Sequence, residues 1–109
     1  MNLPETMHGL PEIFESRGYV CDFIDPDYLK VTLPTGYIVS IVWGSTSYCT
    51  GRLYEIPHMR PTGKDAEVAV WKVDNPTFIR FEGWEYDIKG WVPVAEVFNI
   101  VTYLAGEAM

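Results

Sequence analysis

The chain has 109 residues, 48% of them hydrophobic and sixteen of them aromatic (five Phe, seven Tyr, four Trp), with a formal net charge of −7. That length suits one domain with a core large enough to need no metal or disulfide support. The acidic balance argues against sequence-independent grip on nucleic acid or on an anionic membrane, because both require clustered Lys and Arg.

Leu3, Met7, Leu10 and Phe14 fall at near-helical spacing, interrupted by Gly9 and Pro11. Pro11 suits a first turn and Gly18 a stop, so a short helix is expected over 11–17. Residues 1–27 carry Glu5, Glu12, Glu15, Asp22, Asp25 and Asp27 against Arg17 alone, an acidic surface whose plainest reading is a solvated face. Residues 19–24 alternate weakly and lead into the turn Asp25-Pro26-Asp27, so they read as a strand. Next comes the clearest pattern in the chain. Leu29, Val31 and Leu33 share one face, and Tyr28, Lys30 and Thr32 the other. After Pro34-Thr35-Gly36, residues 37–43 are apolar on both faces apart from Ser40, which places that strand centrally in a sheet.

Residues 44–66 hold no period and recur in Gly, Ser, Thr and Pro, which makes them a long irregular loop; such loops are commonly functional or disordered. A brief edge strand is conceivable over 53–56. Arg52, Arg60 and Lys64 outnumber Glu55 and Asp65, so charge is locally inverted there. Residues 67–73 read as a strand ended by Asp74-Asn75-Pro76, with 77–81 as its hairpin partner and 82–89 as a loop or short edge strand. In the last segment Val94, Val97, Phe98, Val101, Leu104 and Ala105 occupy one arc, opposite Glu96, Asn99 and Tyr103. A helix over 94–104 follows, with Pro93 in its first turn, Gly106 just past its end, and Val92 where a capping Ser or Asp would stand. The expected fold is α+β: one domain over 1–109, about five antiparallel strands, the C-terminal amphipathic helix on one face, and the short N-terminal helix.

Candidate chemistry is sparse. His8, Cys21, Cys49 and His58 lie in different elements without metal-ligand spacing, so no metal site or cofactor is expected. Cys21 and Cys49 form no CxxC and allow at most one disulfide. A Cys49–His58 nucleophile pair is unforced by the spacing. Gly44-Ser45-Thr46-Ser47 through Gly51-Arg52 could cradle a phosphate but lacks the GK[ST] ending and the following helix. Ser45, Thr46 and Ser47 have no GxSxG context, and no single pair of carboxylates stands out as acid and base. The reading is therefore non-enzymatic. Aromatics outside the core pattern are more telling: Tyr48 and Tyr54 in the long loop, Trp84 and Tyr86 near an acidic turn with Glu85. For Trp84 and Trp91, folding back over the core is the favoured alternative. The candidate contact set is Tyr48, Arg52, Tyr54, Arg60, Lys64, Trp84, Glu85 and Tyr86.

The run VTLPTGYIVSIVWG with the following YC, then DAEVAVW, then GWVPVAEVFNIV, resembles small uncharacterised proteins encoded by bacteriophages and prophages. In those, the terminal helix opens on a GWVSPEEV-type sequence; here Pro93 and Val94 replace Ser and Pro, removing the cap. The resemblance implies an intracellular protein in a bacterial host and carries no catalytic residues over. With the absence of a basic or apolar leader in MNLPETMHGL and of any run near the ~20 apolar residues that span a bilayer, it sets a cytoplasmic expectation. Two functions follow as expectations. The first is an acidic inhibitor or adaptor that binds a host (defence) protein; fifteen acids against eight bases is modest for a mimic of DNA, so general protein contact is the safer statement. The second is a protein that sequesters a nucleotide-like signal through the 44–66 loop, its cations meeting phosphate and its rings stacking on a base. An open sheet edge also makes a homodimer a reasonable expectation.

Overall fold

The computed structural model describes residues 2–44, 49 and 62–107. Met7–Gly9 form a 3-10 turn that runs into helix α1 (Leu10–Ser16), followed by β1 (Val20–Asp25), β2 (Tyr28–Thr32), β3 (Tyr37–Val42), β4 (Asp65–Lys72), β5 (Ile88–Pro93) and α2 (Val94–Leu104). The strands pair in sequence order as one antiparallel meander, with β3 in the middle. The expected α+β architecture is the one observed.

Period two decides the faces. Cross-strand partners share a face, so Leu29↔Ile41↔Val68 and Val31↔Val39↔Val70 form two apolar rows beneath the helices. All six are fully buried, together with Trp43, Val92 and, from the helices, Leu10, Phe14, Val97 and Val101. The rows on the other face read Thr32↔Ile38↔Trp71 and Lys30↔Ser40↔Ala69, mixing polar with apolar groups. Both helices lie on the first face, where the Phe14 and Phe98 rings stack at 6.2 Å. Four buried side chains seat α2: Val94, Val97, Val101 and Leu104. At roughly 1.5–3 kcal/mol each they outweigh anything on its surface.

The turns follow from their residues. Gly36 N–H donates to Leu33 O at 2.9 Å and Leu33 N–H to Tyr37 O at 2.8 Å, a three-residue hairpin loop with Pro34 at its first position. Asp27 N–H donates to the Asp25 carboxylate at 3.0 Å between β1 and β2. Helix α2 stops at Gly106, whose φ of 81° a side chain would resist. Gly106 N–H reaches Tyr103 O and Glu107 N–H reaches Thr102 O, the paired bonds of a Schellman ending. The same pair closes α1 through Gly18 and Tyr19. Thr35 in the hairpin loop donates its hydroxyl to Leu104 O at 2.6 Å, tying the end of α2 to the β2–β3 turn.

Several boundaries differ from expectation. The partner of β4 is β5, not 77–81. Pro76 has no N–H, and Thr77 N–H turns back to Asn75 Oδ1 at 3.1 Å. Beyond the Lys72↔Asn75 bridge this segment meets β4 through Ile79 N–H to Val70 O at 2.8 Å, then leaves the sheet. Asp65 and Ala66 belong to β4 and not to the long loop. Pro93 is the N-cap of α2, not a first-turn residue, and makes no side-chain capping bond. Val92 is buried in β5. The strand suggested over 53–56 lies outside the described residues.

Candidate groove between the 80–87 loop and the terminal helix

The segment that leaves β4 folds over α2 before β5 begins. Trp84 N–H donates to Phe81 O at 3.0 Å, closing a turn whose third residue, Gly83, has φ 89°. Only glycine adopts that angle freely, so Gly83 lets the chain reverse where the two rings meet. Phe81 and Trp84 pack edge to face, centroids 5.1 Å apart. Arg80 Nη1 donates to Glu85 O at 3.3 Å and ties the two sides of the loop.

Phe81 and Trp84 form one wall of an open groove of about 250 Å³. The other wall is α2, through Glu96, Asn99, Ile100, Tyr103 and Leu104. The helix residues are spaced three and four apart, so they form one stripe beside the buried stripe. Tyr103 is 67% exposed and Tyr86, on the loop, 66%. The lining is almost wholly apolar. Glu82, Glu85 and Asp87 are exposed on the same loop as Arg80, and Glu96, which lines the groove, is bonded to Lys89 Nζ at 2.6 Å.

Of the residues singled out from sequence, Trp84 lies in the groove and Glu85 and Tyr86 follow it on the same loop. Trp84 is half-buried against the core, so capping and contact are served by one ring. Trp91 does not fold back over the core: it is half-exposed at a bulge where Gly90 and Trp91 oppose Glu67 alone, and its φ is 50°. Lys64 is exposed elsewhere, beside the N-terminal turn, where Met7 N–H donates to Gly63 O at 2.8 Å. Tyr48, Arg52, Tyr54, Arg60 and His58 lie outside the described residues.

The cysteines are not disulfide-bonded. Cys49 is buried and donates to Gly44 O at 3.4 Å. Cys21 is half-buried; burial, then the charges of Glu15 and Asp22, push its thiol up to about 11. Such a thiol is a poor nucleophile. Among the described residues no three His, Cys, Asp or Glu side chains converge as a metal site requires, and no helix is long and apolar enough to cross a membrane.

Sequence reading missed Phe81, Asn99, Ile100 and Tyr103. Their three- and four-residue spacing sets Asn99, Ile100 and Tyr103 on one stripe of α2, but only the loop folded over that stripe makes it a wall of the groove. No known protein family, curated protein or solved structure matches the chain.

Proposed function

We propose that this chain is a non-enzymatic binding protein that holds a partner protein by seating an apolar side chain in the groove between Trp84 and α2. The observation that carries this is the groove itself, lined mainly by rings and aliphatic groups. At about 250 Å³ it falls short of the ~300–1,000 Å³ clefts that bury drug-sized ligands, but it accommodates one or two side chains. Trp and Tyr side chains such as Trp84 and Tyr103 are the groups that commonly anchor protein interfaces. The exposed Glu82, Glu85 and Asp87 of the adjoining loop favour a partner whose anchor is flanked by Lys or Arg. Following the phage resemblance, that partner is a host bacterial protein, with inhibition of a defence protein in the host cytoplasm as the role.

The test is capture from a bacterial lysate with two baits, the wild-type chain and Asn99→Arg/Tyr103→Ala. Both positions are exposed on α2, so the double variant is expected to fold. A protein retained by the wild type and lost from the variant supports the groove. A protein retained equally by both sinks it. The nucleotide-sequestering alternative predicts instead a raised melting midpoint with cyclic nucleotides, by mass action, in both baits.

A further inference from the structure

A second surface lies at the other end of the sheet. β1 is an edge strand, and among the described residues no strand pairs along its outer side. Such an edge offers a row of unpaired N–H and C=O groups that proteins usually shield. Here three large apolar side chains stand out on six residues: Val20 is 57% exposed, Phe23 51% and Ile24 56%.

Register sorts the strand's faces. Asp22 pairs with Lys30 and Asp25 with Tyr28, so both acids lie on the face away from the helices. Phe23 pairs with Leu29 and lies on the helix side. Ile24 is the extra residue of a bulge between them. Glu15 and Asp27 add further negative charge nearby, and the field of Glu15 and Asp22 is felt by the Cys21 thiol. The local bases are Lys30, across from Asp22, and Arg17, which is held 3.2 Å from Glu107.

A second copy fits this edge badly. Pairing β1 with β1 would crowd two sets of Asp22 and Asp25 on one face, between chains of charge −7 each. A strand carrying bases on that face and aliphatic groups on the other fits well. We propose that the outer edge of β1 accepts an added strand from a basic protein segment, its Lys or Arg residues opposite Asp22 and Asp25 and its aliphatic residues beside Phe23. Main-chain bonds supply the affinity and alternate side chains the selectivity. This interface is independent of the groove at α2.

The probe is a capped peptide alternating Lys and Val, followed by fluorescence anisotropy and by amide hydrogen exchange of the full chain. Saturable binding is expected, with exchange slowed across Val20–Asp25 and affinity falling about tenfold between about 0.05 and 0.5 M salt. Asp22→Lys/Asp25→Lys should weaken binding at least about tenfold, while Asn99→Arg/Tyr103→Ala should leave it unchanged. A peptide N-methylated along one edge, which needs no change in the protein, should not bind. The proposal is overturned by no binding, by protection that spares β1, by undiminished binding of the N-methylated peptide, or by a peptide-free dimer with β1 protected.

Discussion

Among the described residues the buried Tyr19 hydroxyl finds no hydrogen-bond partner, and neither does the Trp43 indole N–H. A buried polar atom left unpaired costs about 1–3 kcal/mol, while the Tyr19 ring itself packs 6.0 Å from Phe14. Tyr19→Phe keeps the ring and removes the orphan group, so thermal unfolding should shift upward by the equivalent of about 1 kcal/mol; a lowered midpoint would mean the hydroxyl has a partner after all. Cys21 gives a pH test. Its thiol ordinarily ionises near 9.0 and is raised to about 11 in the fold, by burial first and then by Glu15 and Asp22. The folded state therefore keeps a proton that the unfolded chain gives up. Stability from this site is intact below pH 9.0 and drains as pH climbs to about 11. Melting curves of the wild type and Cys21→Ser should diverge across that window, the wild type losing more; parallel curves would contradict the assignment. Little of this was legible in the sequence, since the burial of a lone Cys or Tyr depends on neighbours far along the chain.

At the scale of elements, α2 shows which signals carry. Its apolar arc predicted the helix because Val94, Val97, Val101 and Leu104 are the side chains it buries. The β2–β3 hairpin was equally legible, because alternation and the Pro34-Thr35-Gly36 loop agree. β5 was hidden: the bulge puts two residues, Gly90 and Trp91, between core-facing Val92 and Lys89, so the period of two fails there. The 77–81 segment looked like a strand by composition, but Pro76 and the Asn75 turn deny it a ladder. The start of α2 remains its weak point, with Pro93 unable to cap. In Pro93→Ser the new hydroxyl would face the N3 amide of Glu96, three residues on, as in a capping box. A gain of about 1 kcal/mol is expected, partly offset by the roughly 0.5 kcal/mol that Pro contributes by stiffening the unfolded chain. Denaturant titration should show a higher midpoint at unchanged slope, and a lower one would show that Pro93 matters more to β5 than to the helix.

The whole molecule is a meander under two helices, and the two proposed contact surfaces lie apart on it. The groove at α2 draws on residues 81–84 and 96–104, and the edge at β1 on residues 15–27, so no short stretch of sequence announces either. Trp84 could be singled out because a Trp beside acids and Gly83 is conspicuous. Ile100 and Tyr103 could not, because their meaning depends on the loop that folds over them. Both proposals rest on exposed apolar groups with carboxylates nearby, the combination that would suit a basic partner. The most direct measurement is the calorimetric affinity of the captured partner for the wild-type chain and for Asn99→Arg/Tyr103→Ala. A loss of about tenfold or more, some 1.4 kcal/mol, is expected for the variant, with its fold unchanged by circular dichroism. Equal affinity for both proteins would contradict it.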